Sequence, residues 1–198
     1  MTAYATLAQV KAALRITDTV DDTLIEMARV SASDLIDGYC GRTFTASGTV
    51  TRVFAPADNY VLQTDDLAGT ALTITSSTGA DGVFDVTWKA SDYQLEPLNG
   101  VSNGQAVPFT RIRAIQDYLW PTAGGEATVR VTGVFGFPSI PLVITQAAVL
   151  QSSRIFTRLQ SPLGVAGFGE MGVVRVTRAL DPDVAALVEP YRRIVGVA

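Results

Sequence analysis

The chain has 198 residues, of which 47% are apolar and only 17% charged, with a net charge of −4 at pH 7. One cysteine and no histidine exclude an internal disulfide, histidine metal sites and the Ser-His-Asp and Cys-His catalytic arrangements. The acidic balance argues against broad phosphate neutralisation, and so much apolar surface with so little charge favours an oligomer. Charge is uneven: residues 1–44 carry net −2, residues 45–138 net −4 and residues 139–198 net +2.

Met1 to Ala8 has neither a basic nor an apolar signal region, and Pro141 to Leu150 is too short and polar to span a membrane. The chain is therefore expected to be made and used in a cytoplasm, with no membrane partner. Thr6 predicts a helix cap, followed by Leu7, Val10 and Leu14 on one face. Thr17 to Asp22 breaks this helix. Thr23 and Glu26 then form a capping-box pattern for a second helix, with Ile25, Ala28, Ala32, Leu35, Ile36 and Tyr39 at helical spacing and Gly41 as its left-handed end.

From 45 to 135 the apolar period becomes two. Leu72 and Ile74, then Phe84, Val86 and Trp88, then Val129 and Val131 alternate with polar residues, separated by Pro-, Asn- and Gly-rich turns. This predicts an antiparallel sheet or sandwich inserted between helical parts. Helix resumes from Pro141 to Gln160, apolar almost all round, with Ile144, Ala148, Ile155 and Leu159 on one side and Leu142, Val143, Ala147, Leu150 and Phe156 widening it. Ser161 to Gly172 is a glycine-rich bridge, Val173 to Thr177 reads as a short strand, and Asp181-Pro182 opens a last helix that Pro190 kinks or restarts. The expected fold class is α+β: a helical core made of 1–44 and 139–198, with a β-rich subdomain at 45–138 inserted into it.

The sites of chemistry are weak. Gly164 to Gly169 lacks a following Lys-Ser/Thr and a helix N-terminus, so no phosphate loop is expected. Asp18, Asp21, Asp22 and Glu26 lack calcium-loop spacing and suit a turn and a helix start. Asp85, Asp92 and Glu96 offer only a formal carboxylate pair, and Cys40 reads as a buried, inert thiol. Among the aromatics, Trp88 fits a core phase, whereas Tyr118-Leu119-Trp120-Pro121 is hard to bury whole and is a candidate contact point. No catalytic, cofactor or metal residue is predicted, and the chain is not read as an enzyme.

Two stretches resemble a known family. One is Leu7 to Phe44, ending Tyr39-Cys40-Gly41-Arg42-Thr43-Phe44. The other runs from Val134-Phe135-Gly136-Phe137-Pro138 through Ser161-Pro162-Leu163-Gly164-Val165-Ala166-Gly167-Phe168-Gly169, Val173-Val174-Arg175-Val176 and Asp181-Pro182-Asp183-Val184 to Pro190-Tyr191-Arg192-Arg193. Together they resemble the head-to-tail adaptor (head-tail connector) proteins of long-tailed phages, especially those of actinobacterial phages.

The resemblance implies a structural protein of the virion neck. It implies a dodecameric ring beneath the portal protein, contact with a stopper or tail-completion protein, and passage of double-stranded DNA through the lumen. A heterologous ring needs one donating and one receiving patch per subunit. The candidate interface residues, toward subunits or portal, are Phe156, Leu159, Leu163, Val165, Phe168, Met171, Val173, Val174, Arg175, Val176, Arg178, Arg192 and Arg193. The strand Val173 to Val176 is expected to add to a sheet edge of an adjacent chain, and the arginines, Arg154 and Arg158 included, to meet acidic surface. The alternatives are a stopper or tail-completion protein, or a glycan- or receptor-binding tail accessory that uses the β aromatics Tyr118 and Trp120.

Overall fold

The computed structural model describes residues 3–77, 82–102, 104–159 and 180–193. The fold is mixed α+β. Contacts divide the chain into two units, one of Met1–Phe44 with Ile140–Ala198 and one of Thr45–Ser139.

The first unit contains α1 (Leu7–Leu14), α2 (Asp22–Cys40), α3 (Leu142–Leu159) and α4 (Pro182–Val188). Thr6 caps α1 in a reciprocal box. Its hydroxyl accepts the Gln9 N–H at 3.2 Å, and its own N–H donates to the Gln9 side chain at 2.7 Å. The box expected at Thr23 and Glu26 does not form, because α2 starts at Asp22 with Asp21 in the cap position. Thr23 is thus already inside the helix, and Glu26 is drawn forward to Arg29, whose guanidinium also donates to the Ala5 carbonyl. Lys11 reaches Asp22 at 2.5 Å and ties α1 to α2.

Gly41 ends α2 in the left-handed conformation, φ +63°, its N–H donating to the Asp37 carbonyl at 2.8 Å. Asp181 accepts the Asp183 N–H, and Pro182 begins α4 without losing a bond. At Pro190 the chain turns through a single 3₁₀ turn, Glu189–Tyr191.

Helix α3 packs against α1, α2 and α4. Ala28 and Ala32 of α2 and Ala147 and Ala148 of α3 are buried, and such small side chains let helix axes approach closely. Around them Val10, Ile25, Ile36, Ile144, Phe156, Val184 and Val188 complete the apolar interior. The other end of the unit is aromatic: Phe44 meets Tyr4 and Tyr191 edge-on, each at 5.8 Å. The Tyr4 hydroxyl accepts the Phe44 N–H at 2.9 Å and donates to Asp37.

The second unit holds β1 (Thr49–Phe54), β2 (Val61–Leu67), β3 (Thr73–Ser76), β4 (Val86–Trp88), β5 (Tyr93–Glu96), β6 (Val101–Ser102), β7 (Gln105–Ala106), β8 (Phe109–Ala114) and β9 (Val129–Val134). All pairings are antiparallel, in sheets ordered β1-β9-β3-β4, β2-β8-β5 and β6-β7. Alternation works as expected in β9, where Val129, Val131 and Gly133 point inward. It fails at Phe84 and Val86. The edge strand β4 starts only at Val86, which is exposed, and Phe84 lies before it beneath the Arg130 guanidinium at 4.0 Å.

The two larger sheets share one core. Ile74, Val129 and Val131 come from the first, Leu62, Leu67 and Ile112 from the second, with Trp120 and Phe135 added by flanking segments. Gly136 closes this unit with φ +109°. A Cβ there would lie 2.0 Å from the Thr45 carbonyl oxygen, so no other residue fits without moving backbone. Its N–H donates to the Asp66 carbonyl at 2.7 Å.

Candidate functional site

The interface residues expected from sequence fall into four groups, the last being the described arginines. Phe156 is only 2% exposed and belongs to the interior of the helical unit, because its turn of α3 faces the buried side. Leu159, the last residue of α3, is 55% exposed. Leu163, Val165, Phe168, Met171, Val173, Val174, Arg175, Val176 and Arg178 lie outside the described residues.

The described arginines are engaged within the chain. Arg154 pairs with Asp181 and, at 3.1 Å, with Asp183, while the Gln151 side chain accepts the Asp181 N–H at 3.3 Å. These bonds hold the end of α3 to the start of α4. Arg192 lies 5.5 Å from the centre of the Tyr39 ring and 3.7 Å from Glu189. The Arg193 N–H donates to the Cys40 carbonyl at 2.8 Å. A chain with local carboxylates on the same helices satisfies its cations at home, which sequence spacing alone does not reveal.

Cys40 is buried, its thiol 3.8 Å from the Val188 carbonyl oxygen. Burial pushes its pKa up to about 11, the opposite of what a nucleophilic thiolate needs. Asp92 is held below the usual carboxylate range, chiefly by accepting the Lys89 N–H, whereas a general acid needs a raised pKa. Glu96 is shared between Arg113 at 2.6 Å and Arg111 at 3.4 Å. Among the described residues no group of three or more His, Cys, Asp or Glu is placed to hold a metal ion.

The aromatic cluster corrects the expectation for Trp120. Its side chain is fully buried, stacked on Trp88 with ring centres 3.8 Å apart, and its indole N–H donates to the Ile112 carbonyl at 3.2 Å. Trp88 donates to the Ser76 hydroxyl at 2.9 Å. Tyr118 and Leu119 remain exposed beside a cavity of about 170 Å³ lined by Ser76, Thr87, Trp88 and Asp92. The tryptophan pair is thus a core element, and an aromatic platform for a ligand is reduced to Tyr118.

Sequence reading missed the outer face of α2, where Leu24 and Met27 are exposed; Leu35, expected with the buried set, is exposed beside them. Only Met27 is clearly out of phase with the buried 25, 28, 32 and 36; Leu24 and Leu35 stand four and seven residues from Ala28, at the margin of the buried face, so spacing alone does not mark them as exposed.

The class of protein follows from comparison. Residues 4–71 match the family model of phage gp6-like head-tail connector proteins. The match spans α1, α2, β1 and β2 and does not reach the stretch from Val134 to Arg193.

Among solved structures, the chain is similar to one from the neck of an empty GTA particle computed with C6 symmetry. The TM-score is 0.55 and the identity 18%, over 99% of this chain and 96% of the other. A chain from the neck of the native GTA particle computed with C12 symmetry gives a TM-score of 0.51 at 16% identity, over 96% and 90%. A chain from the virion of the native gene transfer agent (GTA) particle gives 0.54 at 20% identity, over 98% and 92%. No curated protein matches the sequence. At these identities the likeness is one of fold. The family-model match over residues 4–71 supports a head-tail connector protein, and the neck structures support its fold. Among the described residues no helix is long and apolar enough to cross a membrane.

Proposed function

We propose that this chain is a ring-forming adaptor in the neck of a phage-like particle, binding the portal protein on one side and a stopper or tail-completion protein on the other. Its work is assembly, not catalysis. The observation that carries the reading is the likeness of fold to neck chains over nearly the whole length, together with the connector-family match at 4–71. The neck structures computed with C6 and C12 symmetry favour an oligomeric ring, and we take it as dodecameric. The helical unit is the connector core and the β unit an insertion into it. Assembly takes place in the host cytoplasm, and the finished ring resides in the virion.

In this reading residues Leu163 to Met171 dock on a neighbour or the portal, and Val173 to Val176 add a strand to a neighbouring sheet edge. A net charge of −4 suits a lumen through which duplex DNA slides without being gripped. Mass photometry of the purified chain, alone and with its cognate portal, tests the proposal. A ring-sized species in either sample is expected; a chain that stays monomeric with portal overturns it. Deleting Ser161 to Gly172 is expected to abolish ring assembly or portal binding, and unchanged assembly would remove that segment from the interface.

A further inference from the structure

The cavity beside Tyr118 joins aromatic wall to negative charge. Its volume of about 170 Å³ is well below the roughly 300–1,000 Å³ of a drug-sized ligand site and is on the scale of a single side chain. Trp88 and Tyr118 form two of its walls, with ring centres 5.8 Å apart and planes tilted by 49°. Trp120 covers one face of Trp88, so Trp88 is core on that side and gives the cavity the rest of its ring. Asp92 lines the same cavity and is 5% exposed. Its carboxylate accepts the Lys89 N–H and the Ser91 hydroxyl, each at 2.8 Å, and the Tyr118 hydroxyl. These donors are neutral: they hold the group ionised without cancelling its charge. The Lys89 ammonium acts on it through its field, from an exposed side chain. A buried charge is little screened by salt and water, so the carboxylate is felt across the cavity.

We propose that this cavity receives the side chain of an arginine carried by an extended segment of a protein partner. A guanidinium is planar, stacks on aromatic faces and brings the charge that Asp92 complements. A sugar also stacks on rings, but it needs several hydrogen-bond partners, and here those are spent. The Trp88 indole donates to Ser76, and Asp92 already accepts three bonds within the chain. Charge and ring surface remain, and a cation uses both. The extended form of the partner follows from β4. That strand contributes Val86, Thr87 and Trp88 to the cavity and ends its sheet, pairing with β3 on one side only. A partner strand added to its open edge gains backbone bonds while its side chain enters the cavity. This goes beyond the ring reading above and does not rest on it.

The test titrates the full chain with two end-blocked pentapeptides, Thr-Val-Arg-Val-Thr and its twin with citrulline, which keeps the shape and removes the charge. Binding is followed on the Trp88 indole N–H resonance. The arginine peptide is expected to shift it saturably, with an affinity at least tenfold above that of the citrulline twin. No saturable shift, or equal affinities, overturns the proposal. Glucose or N-acetylglucosamine saturating the same signal more tightly than the arginine peptide overturns it in favour of a sugar site. Equal affinity for agmatine, a guanidinium without a peptide backbone, overturns the extended segment and assigns the cavity to a free cation.

Variants separate the ring wall from the charge. Tyr118→Ala removes a side chain that is 44% exposed, so the fold is kept, and it is expected to weaken the arginine peptide at least tenfold. Tyr118→Phe, which drops only the hydroxyl, is expected to bind within a few-fold of the unaltered chain; a loss as large as in Tyr118→Ala overturns the role of the ring. Asp92→Asn, checked for unchanged thermal unfolding, is expected to bring the two peptides to equal affinity, and discrimination kept in full overturns the role of the charge. Should Asp92→Asn fail to fold, arginine-peptide binding unaltered by Tyr118→Ala still overturns the proposal.

Discussion

In the helical unit the interior polar groups are neutral or pushed toward neutrality. Burial raises the pKa of Tyr4, of Asp37, to which Tyr4 donates, and of Cys40. In the β unit the marked carboxylates are held charged instead. Asp58 is lowered by accepting the Val61 and Tyr60 N–H groups, and Asp92 chiefly by the Lys89 N–H. Helices satisfy their own backbone, so their side chains can be buried without charge. A unit of short strands has loop amides left over, and aspartates take them up. The shifted carboxylates of the two units therefore respond to acid in opposite ways, and substitutions in each unit have their own reporters: both tryptophans, Trp88 and Trp120, lie in the β unit, whereas the long helices lie in the other.

The largest expected effect is Trp120→Ala. Removing a fully buried indole that also caps Trp88 should destabilise the β unit by about 3–5 kcal/mol, read as an early tryptophan-fluorescence transition in denaturant. A midpoint unchanged from wild type would break the assignment of Trp120 to the core. Gly136→Ala comes next, at roughly 3 kcal/mol, because the added methyl meets the Thr45 carbonyl and φ is left-handed. It should move the same fluorescence transition; a shift confined to helix circular dichroism would contradict it. Thr6→Ala removes one half of the capping box and should cost about 1 kcal/mol, this time in the helical signal.

The finest separation is by pH. Cys40 titrates at about 11 when folded, against an ordinary value near 9, and Tyr4 is raised further. Their contribution is complete below pH 9 and is lost as pH rises through the folded values. Asp37 is raised too, so acid does not remove support from the helical unit through it. Asp58 and Asp92 are lowered, so their contribution is present above the ordinary carboxylate range and lost as pH falls through the folded values. Acid should thus alter tryptophan fluorescence before the helical signal, whereas alkali acts on both units, because burial raises Tyr93 in the β unit as it does Tyr4 and Cys40 in the other. Coincident transitions in acid would sink the contrast.

What was legible in the sequence was local. Thr6, Gly41 and Asp181-Pro182 bound their helices as read, because caps and left-handed ends are decided within four residues. The reach of α3 was legible for the same reason, as a continuous apolar run. What failed depended on distant chain. Trp120 is buried by Trp88, thirty-two positions earlier, and no periodicity spans that gap. Strand β9 sits between β1 and β3, and no local signal gives that order. Glu26 left its expected cap because Arg29, held also by Ala5, claimed it. Of the candidate interface, the sequence pointed at the C-terminal stretch, most of which lies outside the described residues. The family match falls on 4–71, which contains the N-terminal of the two stretches that carry the resemblance, Leu7 to Phe44.

The clasp of Arg154 and Gln151 on Asp181 and Asp183 has an evolutionary consequence. It holds the end of α3 to the start of α4 through side chains on both helices, so a change at Asp181 or Asp183 that evolution tolerates is expected to be matched by a change at Arg154 or Gln151.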